Sequence, residues 1–331
     1  MLFRSGQPYA PGELLKQPDL AHSLRLIRDR GPRGFYHGEV AERLEQEMER
    51  HGGWITRADL AGYAAKRRPP VRGQYREYEV LSMPPPSSGG VVLLLMLNIL
   101  EGTDPTQAGF GAPDTVHWLA EAMRRGFAER ALQLGDPDFN PGMPVDRLIS
   151  KEYAAELRRT IRPGRASVSA TNRFTWPIES DATTHLSVVD AQRNAVALTY
   201  TLEESYGSGI MAPGTGFLLN NEMGDFNAAP GLTTTNGLIG TAPNLAAPRK
   251  RMLSSMSPTI LTRDGQVFLV LGSPGGRSII NTVLQVILNV IDHRMELPAA
   301  VAALRLHHQW FPDRIQFERG ALTPPSQAEL A

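Results

Sequence analysis

The chain has 331 residues, 41% hydrophobic and 21% charged, which fits one large or two ordinary globular domains and excludes a disordered or fibrous protein. Its 34 Lys+Arg balance 34 Asp+Glu, without the basic excess expected of a nucleic-acid binder, so no nucleic-acid partner is expected. The absence of cysteine removes disulfides, Cys-ligated zinc, iron–sulfur clusters and a cysteine nucleophile together.

Residues 1–150 read as mostly helical. Met1-Leu2-Phe3-Arg4-Ser5-Gly6 turns polar at once and carries no signal-peptide core, which leaves localisation open. A helix is predicted over 19–30, with Leu20, Leu24, Leu26 and Ile27 on a rough 3.6 period, and another over 37–51 with Val40, Leu44 and Met48. Thr56 is a predicted N-cap of a short helix. Residues 75–83 alternate as a strand and stop at Pro84-Pro85-Pro86-Ser87-Ser88-Gly89-Gly90. The apolar run 91–100 predicts a buried helix, far short of the roughly 18–20 residues that span a bilayer, so no membrane segment is expected. Residues 114–134 predict a long amphipathic helix with Val116, Leu119, Met123, Phe127 and Leu132 inward.

The second half changes character. Residues 163–181 are polar and irregular, rich in Gly, Ser, Thr, Asn and Pro. Strands follow over 185–190 and 195–202, joined by Ala191-Gln192-Arg193-Asn194. A second hairpin is predicted from 258–262 and 267–272 around Asp264-Gly265, a strong turn signal, and then an apolar helix over 278–291. Helices, then hairpins, then helices predict an α+β fold with helices packed on antiparallel sheet.

Several tempting motifs fail. His51-Gly52-Gly53-Trp54 suggests a lipase oxyanion loop, but no G-x-S-x-G accompanies it. Adjacent His307 and His308 point apart and lack a third ligand at helical spacing, so no metal is expected. Ser273-Pro274-Gly275-Gly276 precedes an apolar helix without a P-loop lysine; its backbone amides can bind an anion, including one that exists only in a transition state.

The most informative stretch is Ser180-Asp181-Ala182-Thr183-Thr184-His185, where a polar linker meets a strand. That is the layout expected if the bond before Thr183 is cut. A threonine hydroxyl is a weak nucleophile, and an N-terminal threonine carries its own base, an α-amine with pKa near 8. The alternative is a β-branched residue that merely opens a strand. Downstream, Glu203-Glu204, Glu222 and Asp225 are either a solvated turn or a site for an ammonium group. Ser254-Ser255 is either a serine-rich turn or a pair of hydroxyls for a carboxylate. Together these pieces describe an α-amino acid head group beside an acyl-transfer centre.

The chain resembles the γ-glutamyltranspeptidases, also called glutathione hydrolases. The resemblance runs in order through Met83 to Gly90, Thr183 to Asp190, Asn220-Asn221-Glu222-Met223-Gly224-Asp225-Phe226, Leu253-Ser254-Ser255-Met256-Ser257-Pro258, Gly272-Ser273-Pro274-Gly275-Gly276 and His307-His308-Gln309-Trp310. It implies the αββα sandwich of an N-terminal-nucleophile hydrolase, incomplete here, and a precursor that cuts itself between Ala182 and Thr183. Residues 1–182, with the linker 163–182, would then belong to a large subunit and 183–331 to a small one, together forming one αββα domain. Thr183 would be the nucleophile and Thr201 would orient it. The N–H groups of Gly275 and Gly276 would form the oxyanion hole. Asp225, Glu222 and Glu203 would hold the substrate α-amino group, with Glu203 standing where many relatives have asparagine. Ser254 and Ser255 would hold the α-carboxylate.

The resemblance implies no cofactor. Glutathione and other γ-glutamyl compounds would be the donors, and water, amino acids or dipeptides the acceptors. Members of the family are typically periplasmic or extracellular. The family's large subunit extends upstream of the part matched here, and that part carries an arginine for the α-carboxylate; no residue of this chain takes its place. The alternatives are a cephalosporin-acylase-like amidase on the same machinery and an inactive truncated member.

Overall fold

The computed structural model describes residues 3–4, 7–103, 108–170, 183–227, 229–231 and 239–330. The chain divides into two compact units, Met1–Arg67 with Tyr206–Asn221, and Arg68–Ser205 with Glu222–Ala331. Both units cross the expected boundary at 182/183, so that boundary does not divide the packing.

In the first unit β1 (Phe3–Arg4) pairs antiparallel with β2 (Gln7–Pro8), and α1 (Pro18–Arg30), α2 (Arg33–Tyr36), α3 (Glu39–His51) and α4 (Arg57–Gly62) follow. Val40 and Leu44 of α3 pack with Ala212 in a small core. The helix predicted from 37 begins at Glu39, because Gly38 stands at φ 67°, outside the helical region. On α1 the expected Leu24 is exposed. The buried residue is Ser23, whose hydroxyl donates to the Thr215 carbonyl at 2.7 Å. Thr56 caps α4 in a reciprocal box with Asp59.

The second unit opens with a hairpin of β3 (Val71–Tyr75) and β4 (Tyr78–Ser82). The single strand predicted over 75–83 is therefore the turn and second arm of this hairpin, with Arg76 at φ 54°. The first arm, with a glycine and two polar residues among five, gave no alternation to read. Next come α5 (Gly89–Glu101), α6 (Pro113–Gln133), α7 (Val145–Leu148) and α8 (Lys151–Arg159). After them lie the antiparallel pair β5 (Thr183–Val189) and β6 (Ala195–Thr201), then β7 (Thr259–Arg263), β8 (Gln266–Leu271) and α9 (Ser278–Ile291). The unit ends with α10 (Leu297–Ala302), the short pair β9 (Leu306–His307) and β10 (Gln316–Phe317), and α11 (Pro324–Leu330).

Helix α5 is the centre of this core. Every residue from Gly89 to Leu100 is buried, as its apolar run requires, and Asn98 within it donates to the Ile149 carbonyl at 2.8 Å. It packs on α6, α8 and α9 and on the sheet strands β3 and β4. That sheet is antiparallel in the order β3-β4-β7-β8, and the β5–β6 hairpin lies against β7 and β8. On α6 the inner face holds Val116, Leu119, Met123 and Phe127 as expected, but Leu132 is 46% exposed and Arg130 is buried instead. Three residues beyond Phe127, the 3.6-residue period points Arg130 inward; Leu132 lies five beyond and turns to solvent.

The β5–β6 register pairs Thr183 with Thr201, His185 with Thr199 and Ser187 with Ala197, while the other face pairs Leu186 with Leu198 and Val188 with Val196. The apolar face is the open one, with those four side chains between 46% and 55% exposed. The polar face turns inward. The His185 ring lies so close over Gly272 that a Cβ there would stand 2.2 Å from it.

Candidate active site

Thr183 is the first residue of β5 and lies opposite Thr201, the last residue of β6. Its hydroxyl donates to Thr201 Oγ1 at 3.2 Å, and that oxygen also accepts the Glu203 N–H at 2.8 Å. The register of one hairpin thus brings the expected nucleophile to its expected orienting residue. Thr183 is only 9% exposed. Glu203 sits at φ 75°, a conformation costly for a side-chain-bearing residue and concentrated at functional sites. Ala182 lies outside the described residues.

The loop between β8 and α9 takes its shape from glycine. Gly275 has φ 121° and Gly276 φ 52°. Neither N–H donates to a backbone carbonyl among the described residues. Two hydroxyls fix the adjoining peptide planes: Ser273 Oγ donates to the Pro274 carbonyl at 2.7 Å and Ser278 Oγ to the Gly275 carbonyl at 2.6 Å. In a trans peptide the C=O and the following N–H point in opposite directions, so each serine aims one amide away from itself. Sequence reasoning named the glycines and missed these two serines, whose flanking positions in Ser273-Pro274-Gly275-Gly276-Arg277-Ser278 were the available signal.

The three acidic residues expected at the ammonium site converge. Glu222 and Asp225 bound a single 3₁₀ turn. A Cβ on Gly224 would lie 3.9 Å from Glu203 Oε1. Burial, then the charges of Asp225 and Glu203, push the Glu222 carboxyl up to about 7. Burial also raises Asp225, opposed by the positive charges of Arg130 and Arg277. Such a cluster gains by enclosing a cation.

The expected carboxylate-binding serines lie on a loop clasped to the start of α5. The Ser254 N–H donates to the Pro86 carbonyl at 3.0 Å, and the Ser88 N–H to the Ser254 carbonyl at 2.8 Å. Ser255 is buried, and its hydroxyl accepts from Arg130 Nη2 at 3.1 Å. Arg130 Nε donates to Ser88 Oγ at 2.9 Å. This guanidinium, unnamed by sequence reasoning, places positive charge beside Ser255 and in the field of Asp225. Its inward position on the α6 period was the one clue.

His307 and His308 serve packing. His307 bonds Asn281 through Nδ1 at 2.7 Å and Gln309 through Nε2 at 2.7 Å, and burial pushes it down to about 4. His308 Nε2 meets Asp313 at 3.2 Å. No cluster of three or more His, Asp or Glu able to hold a metal occurs among the described residues.

Comparison with known proteins converges on one family. The family model described as Gamma-glutamyltranspeptidase matches residues 1–331. A glutathione hydrolase proenzyme of Escherichia coli (strain K12) is 47% identical over 322 residues, which is 97% of this chain and 55% of the relative. A glutathione hydrolase proenzyme of Pseudomonas sp. (strain A14) is 46% identical over 331 residues, 100% of this chain and 57% of the relative. The chain thus spans about half the length of these relatives. Among solved structures, the cephalosporin acylase of Bacillus halodurans superposes with a TM-score of 0.81 at 28% identity, over 98% of this chain and 56% of that one. The fold is the αββα sandwich of N-terminal-nucleophile hydrolases, and the second unit holds helices around α5, the four-stranded sheet and the β5–β6 hairpin against it. With a threonine pair at the mouth of that hairpin and a match along its whole length, the chain belongs to the γ-glutamyltranspeptidase family.

Proposed function

We propose that this chain carries the catalytic machinery of a glutathione hydrolase (γ-glutamyltransferase) that first cuts itself before Thr183. The observation that carries this reading is the Thr183–Thr201 hydroxyl bond at the start of a hairpin that follows a polar linker. In the self-cleavage step the Thr183 hydroxyl oxygen adds to the carbonyl of Ala182 and the peptide C–N bond breaks, leaving an ester and a free Thr183 amine. Water then cleaves the ester to a carboxylate and restores the hydroxyl. The large subunit ends at Ala182 and the small one begins at Thr183.

In the mature enzyme the Thr183 amine takes the hydroxyl proton as oxygen attacks a γ-glutamyl amide. The N–H groups of Gly275 and Gly276 receive the developing oxyanion. Asp225, Glu222 and Glu203 hold the substrate ammonium; Ser254 and Ser255, backed by Arg130, hold its carboxylate. The amine leaves with the proton (cysteinylglycine, from glutathione), and water or an acceptor amino acid takes the acyl group. A cephalosporin-acylase-like specificity is the second reading, favoured by the likeness to that enzyme. Three convergent carboxylates favour the first, since a glutaryl group has no ammonium to enclose.

The test is intact mass and N-terminal sequencing of the purified whole polypeptide. Two fragments are expected, the smaller beginning Thr183-Thr184-His185, and the Thr183→Ala variant should remain whole and inactive. A cleaved, active Thr183→Ala protein would overturn the mechanism. Faster turnover of glutaryl than of γ-glutamyl amides would select the second reading.

A further inference from the structure

A second polar cluster lies on the far side of α6, where the mechanism above uses none of its members. Glu121 is 1% exposed and Arg124 9%. Glu121 Oε1 accepts the Ser167 N–H at 2.9 Å, and Oε2 accepts the Ser167 hydroxyl at 2.5 Å. Arg125 Nη2 donates to the same hydroxyl at 3.2 Å and Nη1 to Glu121 Oε2 at 2.5 Å. Two residues on, Asp313 Oδ2 accepts the Ser169 N–H at 2.8 Å, and Arg124 Nη1 donates to the Ser169 hydroxyl at 2.6 Å. Arg124 also pairs with Asp313 Oδ1, the oxygen that His308 Nε2 meets as well. Two carboxylates and two guanidiniums therefore hold both the backbone and the side chains of a strip that is otherwise exposed, with Val168 between the two serines at 86%. Burying these charges costs desolvation, which the added hydrogen bonds to this strip offset.

That strip lies in the linker that leads to Thr183. We infer that Glu121, Arg124, Arg125 and Asp313 form a clamp on Ser167 and Ser169 that anchors the upstream arm of the self-cleavage segment, making these four positioning residues for the cut before Thr183. The inference rests on the self-cleavage reading above. Anchoring the chain at Ser167 and Ser169 shortens the stretch of sequence that must close onto Thr183, which lowers the entropy cost of presenting the bond to be cut. Burial alone would raise the Glu121 carboxyl; the Ser167 hydroxyl and N–H, then Arg125 and Arg124, outweigh it and bring Glu121 down to about 2, so its charge persists at any pH of interest. Among the described residues the clamp's hydrogen bonds do not reach Thr183, the glycine loop or the acidic turn, so its effect is expected on processing.

The experiment measures self-cleavage rate and steady-state activity in the whole polypeptide. Ser167→Ala/Ser169→Ala removes both clamped hydroxyls from the linker side and leaves the core of α6 untouched; Glu121→Gln tests the other side. The expected result for the double variant is about tenfold slower cleavage. Once cleaved, it should show unchanged kcat and KM on a γ-glutamyl amide, and Ser167→Thr/Ser169→Thr should restore the rate. A cleavage rate within twofold of the parent overturns the clamp. So does a parallel loss of melting temperature and mature activity, which marks a merely structural network. A parent that never cleaves before Thr183 overturns the self-cleavage reading itself, and the clamp with it.

Discussion

Asp225 and Glu222 share one turn, yet the site asks different things of them. Asp225→Ala should leave self-cleavage intact and raise KM for a γ-glutamyl amide by on the order of 10–100-fold, the worth of a charged hydrogen bond; unchanged kinetics would remove Asp225 from the ammonium site. Glu222 gives a pH signature. Its carboxyl is raised to about 7, so it is largely neutral at pH 6 and charged at pH 8. A cationic head group is therefore held more tightly as pH rises, and KM should fall between pH 6 and 8, a step that Glu222→Gln abolishes. A KM flat in pH in the parent would refute this. Of these roles the sequence exposed the residue types and their order but not the company they keep. Thr183 and Thr201 stand 18 positions apart, and only a hairpin register makes them partners. Ser273 and Ser278 act by orienting peptide planes, which a residue string does not display.

At the scale of elements, α6 links the two networks. Its inward face presents Arg130 to Ser88 and Ser255, while Glu121, Arg124 and Arg125, further toward its N-terminus, hold Ser167 and Ser169. Replacing Arg130 by Ala strips two buried hydroxyls of their donor and removes the positive charge that restrains Asp225. A stability loss of about 3 kcal/mol is expected, read as a lower melting temperature. KM should rise with it because Asp225 is then pushed further up, and Arg130→Lys should recover part of each. A melt superposable on the parent would show that Arg130 is not holding the loop. Long apolar helices such as α5 and α9 were legible because their periodicity depends on local sequence alone. Strand β3 was not: its burial comes from β4 and α5, and its Arg72-Gly73-Gln74 centre has no alternation. Arg130 was hidden for the opposite reason, since an arginine on an amphipathic helix ordinarily belongs to the wet side.

For the second unit as a whole, the acid limb of stability follows from the depressed carboxylates. Glu121 falls from 4.5 to about 2 in the folded chain, and Asp313 is lowered too, with burial opposed by His308, Ser169 and Arg124. A carboxyl with a depressed folded pKa stabilises fully above its unfolded value and loses that contribution as pH falls toward the folded one. Glu121 alone therefore contributes about 3 kcal/mol near neutrality, lost between pH 4.5 and 2. Thermal melts across that window should fall steeply in the parent and less so in Glu121→Gln; identical slopes would contradict this. The α+β class could be read from the run of helices, hairpins and helices. Which face of the β5–β6 hairpin turns inward could not, because the pattern alone sends Leu186, Val188 and Leu198 to the core, and the structure sends the polar side there. Gly272 shows what that inversion demands. With the His185 ring resting on a bare Cα, no side chain fits at Gly272 unless that ring moves. A methyl added at Gly272 would therefore have to turn the His185 ring aside and cost its 2.9 Å bond to Thr199 Oγ1, two residues along the strand from Thr183.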